Sequence, residues 1–161
     1  MDIEKKMSVS YQAKLRTPFG MLGIHCEDES LTGITFLTPK NKLQSPSDVF
    51  AQEVCAQLLA YLDDADFQFD LPLKLSGTEH QLKVWQAMQE IPCGQVQTYG
   101  DLAAVVHSSP RAVGQTCGNN PIPVVIPCHR VVSKAGLGGF MHSSDNSILD
   151  IKRWLLAHEQ R

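Results

Sequence analysis

The sequence predicts an α/β (α+β) chain in two subdomains, 1–75 and 76–161. The first is an N-terminal three-stranded antiparallel sheet with helices; the second is mainly helical and holds a helix-turn-helix. Three patterns predict this. Short apolar runs separated by polar turns occupy the stretch before residue 40. A helix-length segment with one apolar stripe follows them. Beyond residue 76, cap residues and helix breakers recur at the spacing of short helices. A chain of 161 residues can fill one good core, or two small ones sharing an interface.

The first seven residues read as a loose tail. Ser8–Leu15 alternates through Val9, Tyr11, Ala13 and Leu15, and Thr17-Pro18-Phe19-Gly20 makes a turn. Met21–Cys26 and Leu31–Leu37 read as two further strands of a meander, divided by Glu27-Asp28-Glu29-Ser30. Ser45-Pro46-Ser47 starts a helix with Phe50, Val54, Leu58 and Tyr61 or Leu62 on one face. Asp66–Ser76, with Pro72 inside it, reads as a crossing linker with extended pieces. Thr78 and Gln81 form a capping box for a helix with Leu82, Trp85, Met88 and Ile91 inward, stopped by Pro92-Cys93-Gly94. Thr98 caps a short helix from Tyr99 to about His107. Ser109-Pro110 opens the next helix with Ser at the cap and Pro at the first helical position, and Gly118-Asn119-Asn120-Pro121 ends it. Two short helices across so tight a connection read as a helix-turn-helix.

Composition excludes several classes. No apolar run approaches the ~18 residues of a membrane span, and the N-terminus lacks the features of a signal peptide. Net charge is −3, which argues against a protein that coats nucleic acid non-specifically. Residues 1–75 carry seven Lys/Arg against eleven Asp/Glu, and residues 76–161 carry seven against six. Contact with a polyanion therefore belongs to the second half and should be local. Five cysteines stand singly without a CxxC pair, so the expectation is a cytoplasmic protein without disulfides.

The segment Asn120–Val131 concentrates the candidate chemistry. Prolines 121, 123 and 127 stiffen it, so Val124–Ile126 reads as a short buried strand presenting Cys128 just beyond its end. His129 puts a base beside that thiol. A buried structural cysteine next to a satisfied histidine is the alternative. Adjacent side chains seldom bond directly, so activation needs a bridging water. On the C-terminal helix, Ile148, Ile151 or Lys152, Leu155 and Glu159 fall on one inward face. A carboxylate pointed into a core needs a partner, which His129 can supply; a solvated Glu159 at a fraying end is the alternative. Nucleophile, base and orienter would then form a chain. Zinc is the competing use of Cys and His, but His25-Cys26 and Cys128-His129 lack ligand spacing, and no metal is expected. Arg111 sits in the first turn of a helix whose Ala112 and Gly114 offer little bulk. That pattern suits close approach to nucleic acid, or else is a solvated Arg. Tyr99 can equally be a core aromatic.

Taken together, Pro-Cys-His-Arg-Val at 127–131, the Tyr99 helix, Arg-Ala-Val-Gly at 111–114, Asn120-Pro121 and Leu-Leu-Ala-His-Glu at 155–159 closely resemble the O6-alkylguanine-DNA alkyltransferases. The resemblance covers about Trp85 through Glu159, and is weaker before that. It implies that Cys128 is the alkyl acceptor, His129 its base through water, Glu159 the residue holding His129, and Asn120 the hinge between the DNA-binding helix and the active-site loop. Arg111 would replace a flipped-out base. Tyr99 would rotate the 3′ phosphate and hydrogen-bond near the leaving base. Ala112 and Gly114 would face the minor groove, Lys134 would add a DNA contact, and Val131 and His142 would meet the substrate base. The expected activity is irreversible transfer from O6-alkylguanine, and less efficiently O4-methylthymine, in double-stranded DNA. The expected protein is a monomer without cofactor, metal or membrane partner. One departure stands out: Phe140-Met141-His142-Ser143-Ser144-Asp145 replaces an aromatic residue followed by a glycine-rich wall, which affects adduct range. A non-catalytic lesion-binding relative is the alternative, though such relatives replace the cysteine that is present here. A regulator using the helix-turn-helix alone would not need Cys128, His129 and Glu159 together.

Overall fold

The computed structural model describes residues 10–160. Strands β1 (Ala13–Thr17), β2 (Gly20–Glu27) and β3 (Ser30–Leu37) form an antiparallel sheet in the order β1-β2-β3. Thr17 Oγ1 donates to the Gly20 carbonyl at 2.6 Å and closes the first hairpin. Asp28 and Glu29 both take left-handed φ, 49° and 60°, which is how a two-residue hairpin matches strand twist. The first strand starts later than the alternation implies. Tyr11 precedes it and a bend falls at Gln12, where the Gln44 side chain takes the Tyr11 carbonyl. The expected tail, with Ser8 and Val9, lies outside the described residues.

Helix α1 (Val49–Asp63) covers the sheet with Ala51, Val54, Leu58 and Tyr61 buried. Its cap is Asp48, whose carboxylate accepts from the Ala51 N–H, so the helix begins beyond the Ser-Pro-Ser signal. The linker is extended where it passes the sheet: Leu31 and Leu73 form a parallel bridge, and Gln57 clamps both the N–H and the carbonyl of Asp70.

Helix α2 (Glu79–Gln89) has the Thr78–Gln81 capping box, and buries Val84, Trp85 and Met88. Leu82 points outward instead, 39% exposed, because the buried face runs through 84, 85, 88 and 91. Helices α3 (Tyr99–Val106) and α4 (Pro110–Gly118) form the helix-turn-helix. His107, in left-handed conformation, ends α3, and Ser109 caps α4 with Pro110 at its first position. His80 bonds Ser108 Oγ at 2.8 Å, and Trp85 Nε1 donates to the Thr116 carbonyl at 3.1 Å, so α2 fixes the pair. Two short strands that the sequence did not announce, β4 (Gln97–Thr98) and β5 (Val131–Val132), pair in parallel; at two residues each they carry no periodicity. Helix α5 (Asn146–Glu159) closes the chain.

Val124–Ile126 is a turn rather than the expected strand. Val124 takes a φ of 76°, the Ile126 N–H returns to the Ile122 carbonyl at 2.8 Å, and Pro123 has no donor for a ladder. Cys128–Arg130 then forms one 3₁₀ turn. One core runs from Ala13 and Ile24 through Leu58 and Trp85 to Ile126 and Leu155, crossing the linker.

Candidate functional site

The 3₁₀ turn delivers Cys128 and His129 in adjacent buried positions, 4% and 0% exposed. Asn120 holds the approach: its Nδ2 donates to the Ile126 carbonyl at 2.8 Å, and its Oδ1 accepts from the Ile122 N–H at 2.9 Å. A buried amide thus ties the end of α4 to the residue two before the cysteine.

Behind the turn, Glu159 is the centre of a charge network. His129 Nε2 donates to Oε2 at 2.8 Å, and Arg130 straddles the carboxylate with Nε to Oε1 at 2.8 Å and Nη2 to Oε2 at 2.9 Å. The Tyr61 hydroxyl adds a fourth donor at 2.6 Å. Burial works against the Glu159 charge, but the bonds from His129, Arg130 and Tyr61 outweigh it and hold the carboxyl well below its usual range. Because Arg130 already neutralises the carboxylate, a second cation in this dry place is disfavoured. Burial lowers the His129 pKa below 6.5, with Glu159 opposing and Arg130 and Lys152 assisting. His129 is therefore neutral. With Nε2–H committed to Glu159, Nδ1 carries the lone pair, and it has no protein hydrogen-bond partner among the described residues.

Burial pushes the Cys128 thiol up to about 11, although the Asn120 amide and the Lys152 ammonium both favour the thiolate. The resting group is a thiol, and making the nucleophile requires a base. Cys128 faces a cavity of about 320 Å³ walled by Tyr99, Gly114, Cys117, Gly118 and residues 139–144. Tyr99 is half-buried there; burial, then Cys117 and Cys128, push its hydroxyl up to about 12, so it holds its proton. Gly138, at φ 76°, lets the loop approach: a Cβ there would stand 3.1 Å from the Tyr99 ring.

Lys152 was only one option for the inward stripe, yet it is fully buried. Its Nζ donates at 2.8 Å to the carbonyls of Val131, Leu137 and Gly139, pinning the loop that forms the cavity wall. Arg130 and Tyr61 were also missed as members of the network. Arg130 lies within Pro127–Val131, and Lys152 carries the same signal as Glu159, a charge on an apolar face. Tyr61 gave none, since its partner is 98 residues away.

The remaining candidates divide. Arg111 and Lys134 are exposed; Ala112 and Gly114 are partly so, and Gly114 lines the cavity. Val131 does not line the cavity: β5 turns it into the core, and its carbonyl is taken by Lys152. His142 is exposed at the mouth and donates from Nε2 to Asn119 Oδ1 at 2.7 Å. Among the described residues no group of three or more His, Cys, Asp or Glu could hold a metal ion, and no helix is long and apolar enough to cross a membrane.

A helix-turn-helix set against a buried thiol, a neutral imidazole and a paired carboxylate defines a protein that acts on nucleic acid through cysteine. The chain belongs to the 6-O-methylguanine DNA methyltransferase family. The family's DNA-binding domain matches residues 79–161, and its ribonuclease-like domain matches residues 10–75. The chain is 36% identical over 157 residues to the methylated-DNA–protein-cysteine methyltransferase of Methanosarcina acetivorans, covering 92% of this chain and 97% of that one. Its counterpart in Haemophilus influenzae is 34% identical over 166 residues, covering 96% and 88%. The crystal structure of Mycobacterium tuberculosis O6-methylguanine methyltransferase matches with a TM-score of 0.78 at 31% identity, covering 94% of this chain and 93% of that one. The same relative in complex with DNA matches at 0.74 and 32% identity, covering 91% of each chain.

Proposed function

We propose that this chain repairs alkylated DNA directly, moving the alkyl group of O6-alkylguanine, and less efficiently of O4-methylthymine, onto Cys128. The observation that carries this reading is the neutral His129, bonded through Nε2 to Glu159 and open at Nδ1, beside a thiol at the floor of a cavity next to α4. The thiol proton passes through a water to Nδ1, and the sulfur attacks the alkyl carbon in line. A carbon–sulfur bond forms as the carbon–oxygen bond breaks. The electron pair leaves with guanine, which takes a proton from the Tyr99 hydroxyl; His129 then releases its proton to water and the phenolate regains one, which restores both resting groups. A thioether has no leaving route, so each chain acts once.

The reactive carbon of O6-alkylguanine lies in the major groove of a stacked base, where a shaped cavity cannot surround it. Flipping the nucleotide costs a few kcal/mol, less where the lesion has weakened pairing. In the proposed complex α4 lies in the minor groove, whose readout is degenerate and suits a search of every sequence context. Ala112 and Gly114 permit close approach, Arg111 fills the space of the flipped base, and Lys134 adds a phosphate contact. Asn120 is the hinge between helix and acceptor. In this reading residues 76–161 hold DNA and acceptor, residues 1–75 support them, and the protein acts as a monomer in the cytoplasm.

Titrating an O6-methylguanine duplex tests the reading. Restored guanine should saturate at one per chain, and Cys128→Ser should bind the duplex without repairing it. Repair by Cys128→Ser, or binding without repair by the unaltered chain, contradicts it; the second result favours a protein that flags lesions.

A further inference from the structure

The turn at 140–143, on the wall of the Cys128 cavity, is tightly specified. Phe140 and Ser143 exchange both backbone hydrogen bonds at 2.9 Å, and the two residues between them, Met141 and His142, have φ of 51° and 63°. Non-glycine residues persist in that region only when their surroundings hold them there. Both are held. The Met141 sulfur lies 3.9 Å from Cys128 Sγ. His142 reaches across to α4, where Nε2 donates to Asn119 Oδ1 at 2.7 Å and the imidazole rests on Gly118; a Cβ at 118 would collide with the ring.

We propose that the His142–Asn119 clasp closes the outer wall of the Cys128 cavity, and that His142 thereby sets the largest alkyl group this chain accepts. The inference rests on the alkyl-transfer reading. A methyl group adds little to the room that its base already needs. A benzyl ring must occupy space that Met141 and His142 fill, so the clasp has to open first. Because Gly118 and Asn119 end α4 and Asn120 follows them, the wall is fastened to the same helix that faces DNA.

The test compares the rate of Cys128 labelling from matched duplexes carrying O6-methylguanine or O6-benzylguanine, using the full chain, His142→Ala and Gly118→Ala. The second variant keeps the imidazole but expels it from its seat. The unaltered chain should favour methyl over benzyl, and each variant should shrink that ratio about tenfold or more. A general loss of folding or of DNA binding would slow both substrates and leave the ratio alone. Equal rates on both lesions in the unaltered chain, or a ratio unchanged in both variants, overturns the clasp. No labelling from either lesion in the unaltered chain removes the transfer reading itself.

Discussion

Glu159 joins a stability argument to the proposed chemistry in one side chain. It is buried with four donors around it, so removing its charge strands Arg130 and frees the His129 ring. Glu159→Gln should lower stability by about 3–5 kcal/mol in a denaturant titration. It should also slow Cys128 labelling by about 10²-fold, the lower range for losing a positioned base. Acid should act in the same direction. Unfolded Glu159 protonates near 4.5 and unfolded His129 near 6.5, whereas both folded values are lower. The unfolded chain therefore binds more protons as pH falls, and stability should drop first below 6.5 and again below 4.5. Lys152 should set the alkaline side of the proposed reaction. Burial brings its pKa down to about 8, against the pull of Cys128 and Cys117. As pH rises through that value the ammonium loses one of the three donors that pin the wall. A pH–rate profile of labelling should fall there, and Lys152→Met should be slow with no such limb. A limb that persists in Lys152→Met assigns it to another group.

At the scale of elements, local chemistry made the helices legible. Capping boxes at Thr78 and Thr98 and the Ser109-Pro110 start place three helix beginnings without reference to packing. Thr98→Ala should cost about 1 kcal/mol, seen as a lower melting temperature. The inward side of α5 is legible only in part: the pattern leaves Ile151 or Lys152 open and allows a solvated Glu159, and the buried partners of Lys152 and Glu159 decide both. The turn at Val124 is not legible. Its residues favour strand, and the left-handed φ accompanies a turn closed by the Ile126 N–H on the Ile122 carbonyl, which no local pattern announces. Leu82 departs from the expected stripe because steps of three residues drift around a helix of 3.6 residues per turn, and contacts with α3 and α4 bury the side through 84, 85 and 88 instead. In the proposed function, the DNA contact at this scale falls to α4. Arg111 is exposed at its first turn, so Arg111→Ala should slow duplex repair about tenfold or more while changing transfer from free O6-benzylguanine much less, if the chain accepts that base. Equal losses on both substrates would remove the role of Arg111 in flipping.

The whole molecule joins the two halves at the site itself. The Tyr61 hydroxyl from α1 reaches Glu159, the His158 ring bonds the Tyr61 carbonyl at 2.7 Å, and the Ile34 N–H in β3 donates to the Pro121 carbonyl at 3.0 Å. None of these contacts is readable from sequence, because each pairs residues tens of positions apart whose types alone are unremarked. They mean that the sheet domain braces Glu159, which holds His129, and the segment that leads to Cys128. Tyr61→Phe should cost about 1.5–3 kcal/mol, the range for a bond to a charged group, and should leave a single unfolding transition. Two transitions would show that the halves fold independently. The central claim is that Cys128 is a terminal acceptor, and peptide mass mapping after incubation with an O6-methylguanine duplex tests it most directly. One methyl group on the Cys128 peptide, saturating at one per chain, is the predicted result. A methyl on another cysteine, or none on any while the duplex is bound, would contradict it.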